Sequence, residues 1–405
     1  MRKMDTDMLL NKIKLFAGVV LLTCLCSCTQ VYKCTVENGE IYPGVAEHTF
    51  NNGIIEVKVA SGVSGIVNGF EYLPEKFQLF EKMIYKVKRY DLLPEKISVK
   101  VTGGRELVWG VKKFVNVKMN VDNINVTDEA AVIDLSADFF QGENLYAQKR
   151  VAVQAGKAAV DVEFTITNKG RKTQNMSLWK HLTAQLTPGA MDVVLLPAAG
   201  GVKRVGKRAV LPMVDDVIYH DTNIVHKQFY TKPFLPWMGR AASGDVNDKG
   251  VLVMYAPQML EQGALFYTWK DGVSPLHTTE MIFVPEDIAP GASKKYSIRY
   301  LYFSKLRYLR NICGDYGFDL ADGALVVESV SAQAARNFSL WKKSGKDLKK
   351  VGNYVLPELE SGDVHKIKLP DPACAGEKSS LVIRWENGSE TILPAAEMSG
   401  KTAEK

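Results

Sequence analysis

A mainly β, antiparallel fold in two domains, set behind a secretion leader, is what this sequence predicts. Three observations carry it. Apolar residues alternate with polar ones at period two in one run after another, Gly, Asn and Pro turns separate the runs, and helical periodicity is weak throughout. Such runs are expected of antiparallel sheets with one buried face.

The leader comes first. Arg2, Lys3, Lys12 and Lys14 precede an apolar run from Leu15 to Leu25. That run falls short of the roughly 20 residues a bilayer-spanning helix needs, so it reads as the apolar part of a cleaved signal. It closes with Leu25, Cys26, Ser27 and Cys28. This resembles the lipobox of bacterial lipoproteins, in which a small residue precedes the cut and the cysteine thiol is alkylated. Cys28 is therefore the expected lipidation site. Cys24, preceded by Thr23, is a second candidate, and an ordinary cleaved signal with incidental cysteines is the competing reading. The expected organisation is a signal peptide at 1–27, a tether at 28–45, a large β domain at 46–308, a small β-sandwich at 315–396 and a polar tail at 397–405.

Within the large domain, Ile55, Val57 and Val59 alternate with Glu56, Lys58 and Ala60. A second run spans 119–126. In a third, Val160, Val162, Phe164 and Ile166 alternate with Ala159, Asp161, Glu163 and Thr165, and Asn168, Lys169 and Gly170 end it. Further strands are expected at 178–186, 193–196, 250–255, 264–269, 280–284 and 295–303, with a short helix at 77–87. The Arg-rich stretch 306–314 breaks the pattern. The spaced short strands that follow, at 324–330, 337–342, 364–369 and 380–385, suit a small immunoglobulin-like sandwich. Two segments read as loops: the glycine-rich basic stretch 198–208 and the long aromatic stretch 219–244. Long structureless stretches in compact domains tend to be functional.

Composition narrows the function. The formal net charge of +6 comes from 51 basic and 45 acidic residues. This excess is too mild to imply nucleic-acid binding. The cysteines are Cys24, Cys26, Cys28, Cys34, Cys313 and Cys374, with no CxxC pair beyond the leader. That argues against a zinc ribbon or a thioredoxin-type site. A Cys313–Cys374 bridge is compatible with an oxidising compartment and is left open by the sequence. His220, Asp221 and His226 lie near Asp215 and Asp216, but their spacing sets no ligand group on one face, so no metal is expected. No glycine-rich phosphate cradle is present, and no cofactor is expected.

Three blocks of the large domain carry a resemblance. In the first, a strand holding Arg150 (145–156) leads through a turn to a strand ending in Thr167, Asn168, Lys169 and Gly170. The second is Ser177–Leu186, with Trp179 and His181. The third runs from Thr279 and Glu280 through the Pro290–Gly291 turn to Tyr296 and Arg299. Together they resemble the aldose 1-epimerase, or galactose mutarotase-like, superfamily, whose domain is a β-supersandwich. The resemblance implies that fold over roughly 50–303, and a carbohydrate pocket. Catalytic members carry an early Asn-Arg pair and a His-x-Tyr-Phe motif. Here Gly103 and Gly104 precede Arg105, and Leu182 and Thr183 follow His181. A mutarotase-like domain followed by a small sandwich also resembles periplasmic glucan biosynthesis proteins in architecture.

The candidate residues follow. His181 suits a general acid, since imidazole titrates near neutral pH, and Glu280 suits the matching base or an acceptor of sugar hydroxyls. Trp179, Trp237 and Trp269 offer flat apolar faces to a sugar ring. Arg105, Arg150 and Arg240 can clamp a carboxylate or sulfate, and the loop with Lys203, Arg204, Lys207 and Arg208 would attract a polyanion. Each also has a bland role, as core aromatic, satisfied strand histidine or solvated charge. The expected pocket lies on the concave face, with Arg105, Arg150, His181, Trp237 and Glu280. Lys342, Lys343, Lys346, Lys349 and Lys350 mark an exposed basic hairpin.

The expected function is that of a lipid-anchored extracytoplasmic carbohydrate-binding protein without turnover. Its partners would be an oligo- or polysaccharide, anionic ones included, and the membrane through its lipid. The alternatives are a sugar epimerase or polysaccharide lyase using His181 and Glu280, and a structural envelope lipoprotein. Thr29, rather than Asp, follows Cys28, which in a Gram-negative host would, by resemblance to the lipoproteins of such bacteria, point to the outer membrane. Cys28→Ala is expected to release the chain from membranes or stall it as an uncleaved precursor. Labelling with a radioactive fatty acid checks this, and a wild-type chain that takes up no label overturns the lipobox reading.

Overall fold

Backbone pairing is antiparallel throughout the strands of this computed structural model. It describes residues 31–79, 95–101, 112–113, 117–139, 144–183, 192–199, 202–204, 217–221, 226–242, 250–270, 277–370 and 379–394. The chain divides into the units Met1–Tyr32 and Lys33–Lys405, and the strands among the described residues lie in the second.

The first sheet is a five-stranded meander of β1 (Thr35–Tyr42), β2 (Val45–Asn51), β3 (Ile55–Ala60), β4 (Ile66–Tyr72) and β5 (Phe77–Gln78). Then follow β6 (Glu95–Val101), β7 (Lys112–Lys113), β8 (Asn120–Val126), β9 (Ala130–Phe139), β10 (Leu145–Gln154), β11 (Ala159–Asn168) and β12 (Gln174–Thr183). Next come β13 (Asp192–Pro197), β14 (Val202–Arg204), β15 (Val217–Asp221), β16 (His226–Thr231), β17 (Trp237–Ala242) and β18 (Val251–Tyr255). The series ends with β19 (Leu265–Lys270), β20 (His277–Ile282), β21 (Glu286–Ile288) and β22 (Ser293–Phe303). They build a nine-stranded sheet, ordered β15-β13-β17-β18-β22-β11-β10-β9-β8, and an eight-stranded sheet, ordered β14-β16-β19-β20-β12-β6-β7 with β21 paired to β12.

Alternation decides which face of each strand is buried. On β11, Val160, Val162, Phe164 and Ile166 are fully buried, while Asp161, Glu163, Thr165 and Thr167 are less so. Strand β22 repeats this with Tyr296, Ile298, Tyr300 and Tyr302. The eight-stranded sheet packs onto these tyrosines: the Tyr296 ring lies 5.1 Å from Phe283, and the Lys180 ammonium lies 5.3 Å from the Tyr300 ring. Each large apolar side chain buried there contributes roughly 1.5–3 kcal/mol.

Beyond β22 comes a smaller sandwich: β23 (Asn311–Cys313), β24 (Tyr316–Ala321), β25 (Ala324–Ser329), β26 (Arg336–Ser344), β27 (Asp347–Leu356), β28 (Val364–Lys368), β29 (Ser380–Trp385) and β30 (Glu390–Leu393). One sheet is ordered β23-β24-β25-β28 and the other β27-β26-β29-β30. Phe318, Leu325, Val327, Phe338, Leu340, Ile383 and Trp385 form the core between them.

Some expectations are corrected. The tether gives way at Thr35 to β1, whose residues are largely exposed and so show no alternation. Segment 219–244 holds the end of β15, then β16 and β17, and segment 198–208 holds β14. The helix expected at 77–87 begins as the short strand β5, and its remainder lies largely outside the described residues, as do Cys28, the tail and Cys374. Cys34 and Cys313 are free thiols.

One carboxylate fixes the junction between the two sandwiches. Glu328 on β25 is 1% exposed and accepts from the backbone N–H groups of Ser304, Lys305 and Leu306, at 2.7, 2.9 and 3.0 Å, and from the Ser304 hydroxyl. Burial pushes its carboxyl up to about 7 against the pull of these donors. Beside it, Arg299 bridges Asp161 and Asp315 at 2.8 Å each, and Lys157 reaches Asp315 at 3.0 Å. Burial would raise the Asp315 carboxyl, but Arg299, Ser331 and Lys157 outweigh it and hold it below its ordinary value. Gly317 completes the fit, since a Cβ there would sit 2.6 Å from the Phe303 ring.

Glu328→Gln keeps one acceptor oxygen for four donors. It should lower stability by about 1–3 kcal/mol, the cost of leaving buried donors without an acceptor. Denaturant unfolding checks this, and a change within about 0.5 kcal/mol, the range of ordinary surface substitutions, would remove Glu328 from this role.

Candidate functional site

Strands β12 and β20 are neighbours, and their register sets His181 directly opposite Glu280. On a strand, residues two apart share a face. Trp179, His181 and Thr183 therefore project from one side of β12, and Thr278 and Glu280 from the same side of β20. The other side carries Leu178, Lys180 and Leu182 toward β22. Lys180 is fully buried there, and burial holds its amine well below the usual lysine range.

His181 and Glu280 are 3% and 5% exposed. Nδ1 of His181 lies 3.1 Å from Glu280 Oε1, which also accepts from the Thr278 hydroxyl at 2.6 Å. Nε2 of His181 lies 2.7 Å from the Thr183 hydroxyl. With Nδ1–H donated to the carboxylate, Nε2 accepts from Thr183 in the neutral ring or donates to it in the imidazolium. The pair is a single hydrogen-bonded unit.

Register extends the row. Tyr267 on β19 lies opposite Glu280, Phe229 on β16 lies opposite Tyr267, and Lys96 on β6 and Lys203 on β14 occupy the flanking positions. The Tyr267 ring sits 4.6 Å from Phe229 and 5.5 Å, edge-on, from Trp179. Trp179 is partly exposed, and its buried Nε1–H has no hydrogen-bond partner among the described residues. Trp269 lies two residues past Tyr267 and pairs in register with Thr278. One face thus joins a polar His–Glu–Thr group to a cluster of aromatic rings. That combination can hold a ligand with an apolar ring face and hydroxyl edges.

The other candidates lie elsewhere. Arg150 projects from the outer side of β10 in the nine-stranded sheet, paired to Asp134 at 2.8 and 3.2 Å, and Asp134 raises its guanidinium pKa. Trp237 and Arg240 lie on β17 of that same sheet, 0% and 2% exposed. Three residues apart, they point to opposite faces. The expected joining of Arg150 and Trp237 with His181 is therefore not what the structure has, because alternation and sheet order send them to other surfaces. Arg105 lies outside the described residues. His220 and Asp221 are on β15 and His226 is on β16, strands of different sheets. The sequence reading missed Tyr267, Phe229, Thr183 and Thr278. The spacing of Tyr267 and Trp269, two apart on an alternating strand, was the available signal.

With this geometry in hand, comparison with solved structures identifies the fold. A galactose mutarotase-like protein from Clostridium acetobutylicum superposes with a TM-score of 0.51 at 10% identity, covering 67% of this chain and 98% of its own. A galactose mutarotase-like protein from Lactobacillus casei gives 0.48 at 10% identity, covering 63% and 99%. A galactose mutarotase related enzyme from Lactobacillus acidophilus gives 0.43 at 12%, covering 64% and 98%. The first of these shows that the larger part of this chain has the galactose mutarotase-like fold. No family model matches the chain, and no curated protein matches its sequence.

Because His181 and Glu280 act as one buried unit, their removal should not be additive. A double-mutant cycle on His181→Ala and Glu280→Ala is expected to give a coupling of about 0.5–3 kcal/mol. Additivity within about 0.3 kcal/mol, as for distant residues, would dissolve the pair.

Proposed function

We propose that this chain is a lipid-anchored, extracytoplasmic carbohydrate-binding protein that holds a glycan on the His181–Glu280 face of the eight-stranded sheet without turning it over. The observation that carries the reading is the aromatic cluster of Trp179, Tyr267 and Phe229 beside the His181–Glu280 pair. An apolar ring surface next to fixed donors and acceptors suits a pyranose, whose C–H face is apolar and whose rim is hydroxylated. The fold supports it, since the neighbouring structures are described as galactose mutarotase-like. Binding without turnover is favoured because both imidazole nitrogens are already engaged, by Glu280 and Thr183, and because the Asn-Arg and His-x-Tyr-Phe motifs are missing. The anchor and the envelope location rest on Leu25–Cys28 and the basic leader.

An array of neutral and acidic oligosaccharides, scored for binding, anomer interconversion and unsaturated product, tests the reading. Trp179→Ala or Tyr267→Ala should weaken binding by about 1–3 kcal/mol, as expected for loss of a large apolar contact. His181→Ala should cost about 0.5–1.5 kcal/mol, the net value of one hydrogen bond, by loosening the Glu280 and Thr183 groups that it holds in place. Turnover that disappears in His181→Ala or Glu280→Ala would make the protein an enzyme. Failure to bind any glycan would leave the structural reading.

A further inference from the structure

The outer face of the sheet β27-β26-β29-β30 has a built-up surface that the His181 face does not use. Three of the exposed large apolar residues lie on it: Leu348, Val355 and Ile392, at 37%, 59% and 43% exposure. At one end is a groove of about 440 Å³ lined by Asn337, Ser339, Asn353, Tyr354, Arg384 and Glu386. That volume is within the range of about 300–1,000 Å³ for small-ligand sites. Asn337 donates to Glu386 at 2.5 Å, and the Trp341 indole donates to Ser339 at 2.9 Å. Arg384 is held in place by Glu390 at 2.6 Å and lies over the Trp341 ring at 4.6 Å. Lys350 approaches the same ring at 5.8 Å.

At the other end is the β26–β27 hairpin. Its register sets Lys350 opposite Trp341 and Lys343 opposite Leu348 on the outer face, while Lys342 and Lys349, opposite each other, lie on the other face. A solvated charge run would explain the lysines alone. It does not explain a fixed guanidinium and exposed apolar residues on the same face, with a groove of amides and aromatic rings at its edge.

We propose that this face binds an acidic polysaccharide. The groove takes one saccharide unit, whose hydroxyls meet the Asn337 and Asn353 amides and the Glu386 carboxylate, groups that together supply both donors and acceptors. Carboxylates farther along the chain meet Arg384, Lys343 and Lys350. The surface is independent of the His181 face.

The test uses the full-length chain with polygalacturonate, set against dextran of equal length and phosphatidylglycerol vesicles, at low and at physiological salt. The Lys343→Glu, Lys350→Glu double variant should weaken polygalacturonate binding about tenfold or more and flatten its salt dependence, since screening acts on exposed charges. Asn353→Ala should weaken it about threefold with the salt dependence kept, as expected of a neutral hydrogen bond. Equal affinity for dextran, indifference to both sandwich variants, or binding to vesicles in place of polygalacturonate would overturn the proposal. If glycan binding is lost in Trp179→Ala and kept in the sandwich variants, this proposal fails while the His181 face stands, and the reverse result has the reverse meaning.

Discussion

The Glu328 carboxylate and the three consecutive backbone N–H groups it accepts are the contact on which the larger architecture turns. Strand β22 runs along the centre of the nine-stranded sheet, paired on both sides, and then must leave it. Where a chain leaves a sheet its amides lose their ladder partners, and buried amides need others. Glu328 supplies them from β25, so the end of one sheet becomes the start of the smaller sandwich. The Asp161–Arg299–Asp315–Lys157 series adds partly buried ion pairs between β11, β22 and the β23–β24 turn, and Lys305 adds a tie to Glu75, between β4 and β5, at 2.9 Å. Parts distant in sequence are thus held together by polar side chains at their seams.

Within that frame the candidate site is a product of register. Strands β12 and β20 come from distant parts of the sequence, yet pairing sets His181 and Glu280 side by side. The same strand carries Lys180 into the core and His181 out of it, one residue apart. A slip of a single residue would exchange them, sending the lysine to the ligand face and the imidazole against Tyr300. The tightly filled layer around Tyr296 and Tyr300 is therefore also what aims the polar pair.

Much of the fold was legible because half-buried strands advertise themselves. Strands β3, β11 and β22 alternate cleanly, and their buried faces match the apolar positions. Strand β1 was not legible, since most of its residues are exposed and none of its spacing reports a core. Strand β17 was hidden for the opposite reason: it is buried on both faces, so Trp237, Met238, Gly239, Arg240 and Ala241 show no period, and Pro233 and Pro236 before it look like loop punctuation. That misreading also made Trp237 seem a ring offered to solvent. His181 and Glu280 were reached through resemblance. No spacing rule links two residues so far apart, and their aromatic neighbours Tyr267 and Phe229 become visible only once β16, β19 and β20 are side by side.

The closeness of the junction bears on how this protein can be inherited. A module that is shuffled among proteins needs a boundary crossed by few contacts, and Ser304–Leu306 is the reverse. Cutting there would leave Glu328 with no donors, Arg299 without Asp315, and the aromatic ring of Phe303 exposed where Gly317 now lies against it. Neither half would be a finished piece. Their sequences are bound to drift as a pair, with a change at Phe303 tolerated only alongside one at Gly317, and homologues that keep only one half should be found with that seam rebuilt.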